Sequence, residues 1–387
     1  MHLIDITMFY AAEGGGVSTY LNAKAHWLAQ RNRVRHTILS PNAPAQSSIA
    51  GSPDSTIQAV LRRVPSLNVP GLHGYRWPRS VGVATRQLLA LRPDLIEVGD
   101  AGPCAWAALR AKRRLGIPAV AFYHSDLPYL VGQRFGRAAM RGARHYLSNL
   151  YSQFDLVMAP SRLMVQQLAS MGIVDAVHQP LGIDASVFTP QRRIETLRQH
   201  LRLPHDTRLL VYAGRFTREK KIDLLIDAVR RLGRPYHLVL IGGGEGLPRY
   251  PQISYMSFKR DQRVLARLLA SCDMLVHPGD CETFGLIVLE AMACGLPVVA
   301  ARGGGVAELV DDATGMLVAP NSCEALCDGI ETLYRHGLAG PAAHACSRAR
   351  EHYDWNIIMP QLTRRYASML ATGVRADLET DRACVPE

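Results

Sequence analysis

Glu282 and Glu290 stand eight residues apart in CETFGLIVLEAMACG (281–295), one ahead of an apolar run and one inside it. A carboxylate inside such a run is costly unless it has a partner, and sugar hydroxyls, which donate, suit it. The same spacing also describes an exposed glutamate on a helix with one apolar face. Arg215 and Lys220 lie five residues apart in GRFTREKK (214–221), across a strand-to-helix turn. A guanidinium fork and an ammonium there suit a diphosphate, whose charge grows as it leaves a sugar carbon. A solvated basic helix start is the plainer reading, but cations in a first helical turn oppose the macrodipole, which favours an external anion. In EGGGVST (13–19), Gly15 and Gly16 let the backbone approach an anion at a helix N-terminus, or make a tight turn. Neither this loop nor GGGEG (242–246) fits G-x-G-x-x-G, and no P-loop pattern occurs, which disfavours dinucleotide and P-loop enzymes.

Elements to position these residues are legible along the chain. HLIDITMF, RHTILS, DLIEVGD, PAVAFYHS and DLVMAPS read as strands, alternating with helices near 18–30, 104–115, 131–151 and 162–171. After an irregular, charged stretch at 182–207 a second series follows: RLLVYAGRF, HLVLIGGG, ISYMSF, DMLVHPG, PVVAARG and GMLVAP, closed by helices near 322–335 and 342–353. Repeated βα units predict an α/β protein of two Rossmann-like, doubly wound parallel-sheet domains, 1–186 and 187–354, with a helix at 355–372 and a loose tail at 373–387. Residues 42–80, rich in Pro, Ser and Gly, read as an irregular insertion. Thr283 is placed to cap the helix after DMLVHPG, turning the N–H groups of Phe284, Gly285 and Leu286 toward the strand end.

A chain of 387 residues, 48% hydrophobic and 20% charged, has room for two cores. It has no apolar run long enough to span a bilayer and no basic leader, so a cytoplasmic location is expected. Eight scattered cysteines without a C-x-x-C pair point to reduced thiols; Cys323 and Cys327 are four apart, with no second pair to complete a zinc site. The net charge of +11 sits unevenly: residues 1–186 carry 19 Lys+Arg against 10 Asp+Glu, and 187–387 carry 25 against 23. A basic first half implies a polyanionic partner, membrane surface or nucleic acid, and the chain has no nucleic-acid motif or aromatic platform.

ETFGLIVLEAMACGLPVVA and GRFTREKK, with GGGV, YHSD (123–126), APSRLM (159–164), GID..VFTP (182–190) and GGVAELVDDATGMLVAP, resemble the retaining nucleotide-sugar glycosyltransferases of the GT-B fold, family four, over nearly the whole chain. Lys221 stands where glycine is commoner. The resemblance implies two domains facing across a cleft, with the terminal helix crossing back to the first. Arg215 and Lys220 would hold the donor diphosphate, Glu282 the sugar hydroxyls and Glu290 the ribose. Backbone at Phe284, Gly285 and Leu286 would meet phosphate or sugar, Gly15 and Gly16 would approach the diphosphate, and His124, otherwise an unremarkable structural histidine, would approach the sugar. It implies transfer of a hexose from a GDP-mannose or UDP-glucose type donor, with retention, to a lipid or envelope-glycan hydroxyl. No cofactor is expected, and no metal: there is no Asp-x-Asp triplet, and Asp280-Cys281-Glu282 overlaps the sugar-binding glutamate. A sugar-nucleotide epimerase of the same architecture is the alternative.

Arg134, Arg137, Arg141 and Arg144, with His145, recur at helical spacing within one sector, away from Phe135, Tyr146, Leu147 and Leu150. This stripe, with RAKRR (110–114), is either a solvated face or a surface that docks on anionic lipid at the inner face of the cell membrane.

Overall fold

Short apolar runs with no polar alternation are what strands need when helices cover both faces of their sheet. Such strands build both halves of this protein in a computed structural model that describes residues 1–11, 14–30, 34–49, 59–68, 75–243, 248–257 and 261–382. Glu13, residues 244–246 of the second glycine run, Cys384 and the tail beyond 382 lie outside the described residues. The chain forms two units, Met1–Gln179 with Met359–Glu387, and Pro180–Ile358.

In the first unit the strands are β1 (His2–Ile6), β2 (Arg35–Ser40), β3 (Gln46–Ile49), β4 (Ala59–Arg63), β5 (Ser66–Asn68), β6 (Arg76–Pro78), β7 (Leu95–Val98), β8 (Ala119–Phe122), β9 (Leu156–Ala159) and β10 (Val177–His178). The helices are α1 (Gly16–Ala29), α2 (Val81–Leu91), α3 (Pro103–Leu115), α4 (Leu127–Tyr151) and α5 (Arg162–Ala169). Eight strands make one sheet in the order β10-β9-β8-β7-β1-β2-β4-β3, parallel except for β3. Ile4, Ile6, Ile96 and Val98 on one face pack with Ala105, Ala108 and Leu109 of α3 in a buried core. Within 42–80 the described residues, 42–49, 59–68 and 75–80, are more ordered than their composition predicts: β4 pairs with β2, β3 closes the edge, and β5 pairs with β6. Their pairing is with distant strands, which local composition does not report. α2, to which no sequence expectation corresponds, starts on Ser80, whose hydroxyl accepts from the Val83 N–H.

α4 begins four residues before the predicted start, capped by Asp126 through the Tyr129 N–H, and it breaks at Gly136 (φ 84°, ψ −179°). Arg134 therefore precedes the break and does not continue the stripe of Arg137, Arg141 and Arg144.

In the second unit β11 (Arg208–Arg215), β12 (Tyr236–Gly243), β13 (Ile253–Ser257), β14 (Met274–His277), β15 (Val298–Ala301) and β16 (Gly315–Val318) form a parallel sheet in the order β13-β12-β11-β14-β15-β16. Around it lie α6 (Leu197–His200), α7 (Ile222–Leu232), α8 (Gln262–Ala270), α9 (Leu286–Ala293), α10 (Val306–Leu309), α11 (Cys323–His336) and α12 (Ala339–Tyr353). The irregular stretch at 182–207 belongs to this unit and holds a 3-10 turn, Pro190–Arg192, as well as α6. The last helix, α13 (Trp355–Arg382), runs ten residues past the predicted end at 372, through a sequence of good helix formers such as Arg375, Ala376, Leu378 and Glu379. Among the described residues, no helix is long and apolar enough to cross a membrane.

Candidate active site

In the second unit β11 and β14 are adjacent, while the strands that follow them, β12 and β15, lie on opposite sides. The C-terminal ends of β11 and β14 are thus the topological switch point, where open α/β sheets take ligands. Arg215 ends β11 and a 3-10 turn, Arg218–Lys220, follows. In α7 Ile222, Leu225, Ile226 and Val229 recur at i, i+3, i+4 and i+7, and all are buried. Burying each is worth about 1.5–3 kcal/mol, so the helix, and with it the turn carrying Lys220, has one place to sit.

The Lys220 ammonium forms an ion pair with Glu282, and His277 Nε2 stands 3.2 Å from the same oxygen, Oε1. Lys221, in the left-handed region at φ 52°, pairs with Asp280 Oδ1 at 2.5 Å. Consecutive lysines on the loop after β11 thus meet alternate acids on the loop after β14, each side chain about one-fifth exposed. This corrects the expectation that cations at this helix start need an external anion, since the neighbouring loop supplies Glu282 and Asp280. Burial alone would raise the Glu282 pKa, but Lys220 and His277 hold it far below the ordinary carboxylate range. Arg215 is exposed and makes no ion pair among the described residues.

The loop after β14 enters α9 through Gly285 (φ 103°), with no side-chain cap, so Thr283 does not take the expected capping position. A Cβ on Gly285 would stand 2.7 Å from Val306 Cγ2, so both conformation and crowding demand glycine. The first N–H groups of α9, from Leu286 on, have no intrahelical acceptor. Glu290 lies one turn after Leu286, the first residue of α9. It is 8% exposed, no ion pair reaches it among the described residues, and burial pushes its carboxyl up to about 8.

In the first unit the corresponding switch point is between β1 and β7, flanked by β2 and β8. Gly15, at φ 128° and ψ 161°, precedes α1 without a side-chain cap, and Gly16 is the first helical residue. No described atom lies within 4 Å of a Cβ placed on Gly15, so its conformation rather than crowding selects glycine. His124 follows β8, half-buried, its ring stacked on Phe122 at 4.2 Å between centroids.

On α4, Arg134, Arg137 and Arg141 are exposed, whereas the Arg144 guanidinium donates to the Ser170 carbonyl and hydroxyl, both at 3.0 Å. The four-arginine stripe is therefore reduced to Arg137 and Arg141 on one helical run. Leu130 and Phe135, 46% and 67% exposed, stand beside Arg134. Among the described residues the cysteines are free and no cluster of His, Cys, Asp and Glu has the makings of a metal site. Sequence reasoning missed His277, the acid partners of both lysines, and Lys24. The histidine closing DMLVH and the lysine inside the apolar YLNAKAHWLA were the available signals.

Two family descriptions match the chain: "Glycosyltransferase Family 4" over residues 14–187 and "Glycosyl transferases group 1" over residues 193–352. A relative from Mycobacterium tuberculosis, a GDP-mannose-dependent alpha-(1-6)-phosphatidylinositol dimannoside mannosyltransferase, is 31% identical over 391 residues, covering 96% of each chain. Sucrose-phosphate synthase from Thermosynechococcus elongatus superposes with a TM-score of 0.79 at 21% identity, covering 96% of this chain and all of the other. The Anabaena protein HepE, solved with UDP-glucose, gives 0.73 at 21% identity over 95% of this chain and 100% of its own. At such identities the two structures speak to fold alone. The mannosyltransferase relative leaves the epimerase reading without support.

Proposed function

The chain belongs to the GT-B glycosyltransferases of family 4, nucleotide-sugar-dependent enzymes, and on that premise we propose that it transfers a hexose, with retention, from a GDP-mannose type donor to a hydroxyl of a membrane glycolipid. The observation that carries this reading is the Lys220–Glu282 pair beside the exposed Arg215 at the strand ends of the second unit. The pair is already positioned, so a donor exchanges one set of contacts for another: Lys220 and Arg215 turn to the diphosphate, and Glu282 accepts from the sugar hydroxyls. Glu290 accepts from the ribose, the N–H groups at Phe284, Gly285 and Leu286 meet phosphate, and Gly15, Gly16 and His124 serve the diphosphate and sugar from the first unit.

The chemical step needs charge stabilisation more than an enzymatic nucleophile. As the bond between the anomeric carbon and the diphosphate oxygen breaks, the electron pair goes to the diphosphate, where Arg215 and Lys220 receive the charge. The acceptor hydroxyl attacks the oxocarbenium-like carbon from the face being vacated and gives its proton to the departing phosphate oxygen. Arg215 and Lys220 supply the diphosphate with the positive charge a metal would otherwise bring, so the reaction proceeds without a metal.

The GDP-mannose preference rests on the mycobacterial relative; UDP-glucose, the ligand of HepE, is the alternative donor. With EDTA present throughout, GDP-mannose at about a hundred times its Kd should stabilise the folded protein by about 2.7 kcal/mol, read as a raised Tm, and should label a lipid extract. Stabilisation by UDP-glucose alone would reverse the donor assignment. A free nucleotide sugar altered without labelled lipid, or activity lost on chelation, would overturn the lipid acceptor and the metal-free step respectively.

The lipid acceptor brings the protein to the inner face of the cell membrane through α4, with Leu130 and Phe135 inserting and Arg134, Arg137 and Arg141 facing anionic headgroups. At roughly 1 kcal/mol per arginine, reversing Arg137 and Arg141 to Glu should weaken sedimentation with phosphatidylglycerol vesicles at least about tenfold. Unchanged binding would assign the stripe to a solvated face.

A further inference from the structure

Lys24 is a cation in the core of the first unit for which the proposed mechanism has no use. From α1 its ammonium reaches Asp5 Oδ1 on β1 at 2.6 Å and Glu97 Oε1 on β7 at 2.8 Å. The hydroxyls of Tyr20 on α1 and Tyr366 on α13 stand 3.2 Å and 3.3 Å from it, and both donate to Glu97. The other Asp5 oxygen meets His36 Nε2 of β2 at 2.5 Å. Lys24, Asp5 and Glu97 are 0%, 2% and 1% exposed.

Stability is a weak reason to keep such a cluster, because well-packed apolar side chains of similar volume often serve as well as a buried ion pair. What stands at its rim is more telling. The Tyr20 ring lies 5.3 Å from that of His124 and 5.2 Å from that of Phe122, on which His124 is stacked. On a further side, a Cβ at Gly99, just past β7, would come within 3.3 Å of His124 Cδ2. The imidazole is thus held between a strand end, its own strand's Phe122, and a helix whose place depends on Lys24. Tyr20 and Lys24 follow Gly16 at successive intervals of four residues, on one face of α1.

We propose that Lys24 is a positioning residue for His124: through Asp5 and Glu97 it pins α1 to β1 and β7, and with α1 the Tyr20 ring against which the imidazole packs. The inference rests on the reading of His124 as a group that meets the donor sugar. Electrostatics act in the same direction. Burial, and then the Lys24 charge, hold His124 down at about 3, with Asp5 opposing. In the cluster behind it, burial pushes Glu97 up to about 7 against the pull of Lys24, lowers His36, and raises Tyr20 and Tyr366. Asp5, despite burial, is held far below the ordinary carboxylate range by Lys24 and His36. Removing the Lys24 charge takes away one of the two influences that lower His124 and leaves the opposing influence of Asp5, so the imidazole titrates higher.

The test is Lys24→Met in the full chain, labelled at histidine, with the His124 resonance assigned by its loss in His124→Gln. In the parent protein that resonance should not titrate between about pH 5 and 8; in Lys24→Met its titration should move to higher pH, burial still holding it below the ordinary imidazole range. The same variant should lose about tenfold in kcat while the donor KM stays within about twofold, since a misplaced group costs the transition state more than the ground state. A lowered Tm with the His124 titration and kcat unmoved would make Lys24 merely structural and overturn the proposal. Should Lys24→Met fail to fold, Tyr20→Phe removes the Glu97 link without a cavity; an altered His124 shift with about threefold lower kcat supports positioning, and parental values for both refute it. Full activity in His124→Gln would refute the role of His124 itself, while the titration arm still decides whether Lys24 positions the ring.

Discussion

Lys220→Met should lower kcat about 10³-fold, near 4 kcal/mol of lost transition-state stabilisation, in a protein that still folds. Three features set this size. Lys220 is one of two cations at the switch-point loops for which charge developing on a departing diphosphate is proposed, and the other, Arg215, is exposed and so more screened by solvent. Methionine keeps most of the side chain's length, and α7 is placed by its own buried stripe, Ile222, Leu225, Ile226 and Val229, so the loop retains its course. Finally, Glu282 loses its main counter-charge and keeps only His277, which raises its pKa and weakens it as an acceptor for sugar hydroxyls. Kinetics with saturating donor, alongside circular dichroism of the variant, measure the effect. A kcat within tenfold of the parent would remove the electrostatic basis of the proposed mechanism.

Glu290→Gln should reveal itself through pH. Burial raises the Glu290 pKa from its ordinary value of 4.5 to about 8, so below about pH 8 the folded protein favours the protonated form. A raised folded-state pKa contributes stability that is fully present below the ordinary value and is lost as pH rises through the folded one. Parent and variant should therefore have similar pH dependence below about pH 4, and the parent should lose stability relative to Glu290→Gln between roughly pH 4.5 and 8, on the order of 4 kcal/mol by the upper end. Donor binding reverses the advantage. Ribose hydroxyls donate to the ionised carboxylate, so donor affinity of the parent should rise with pH toward about 8, with a proton released on binding, while the amide variant binds about a hundredfold more weakly at the upper end and shows no such slope. Thermal melts across pH, with and without GDP-mannose, read both effects. Parallel curves for the two proteins would show that Glu290 does not carry this titration.

Much of the architecture was legible because the central strands, such as β1, β7, β8 and β14, are buried along their whole length and helices such as α7 on one face, and both demands leave a local pattern. RLLVYAGR and DMLVH announce β11 and β14, and GRFTREKK and CETFGLIVLE place cations and carboxylates just beyond them. The βα alternation, and with it the family, follows from that pattern. Partnership was not legible. Lys220 and Glu282 are 62 positions apart, and Lys24 and Glu97 are 73 apart; they meet only because β11 lies beside β14 and β1 beside β7.

Strand order is a property of how whole βα units pack, and nothing near a lysine in the chain states which carboxylate will face it. For the same reason residues 42–80 looked structureless until β2 offered β4 an edge, and Arg144 looked available until α4 packed near Ser170. By itself the sequence determined which side chains are present at the strand ends and the charge they can bring there. Only the tertiary structure decided which of those charges answer one another, because an ion pair is governed by distance in space, and sheet topology converts distance along the chain into distance in space.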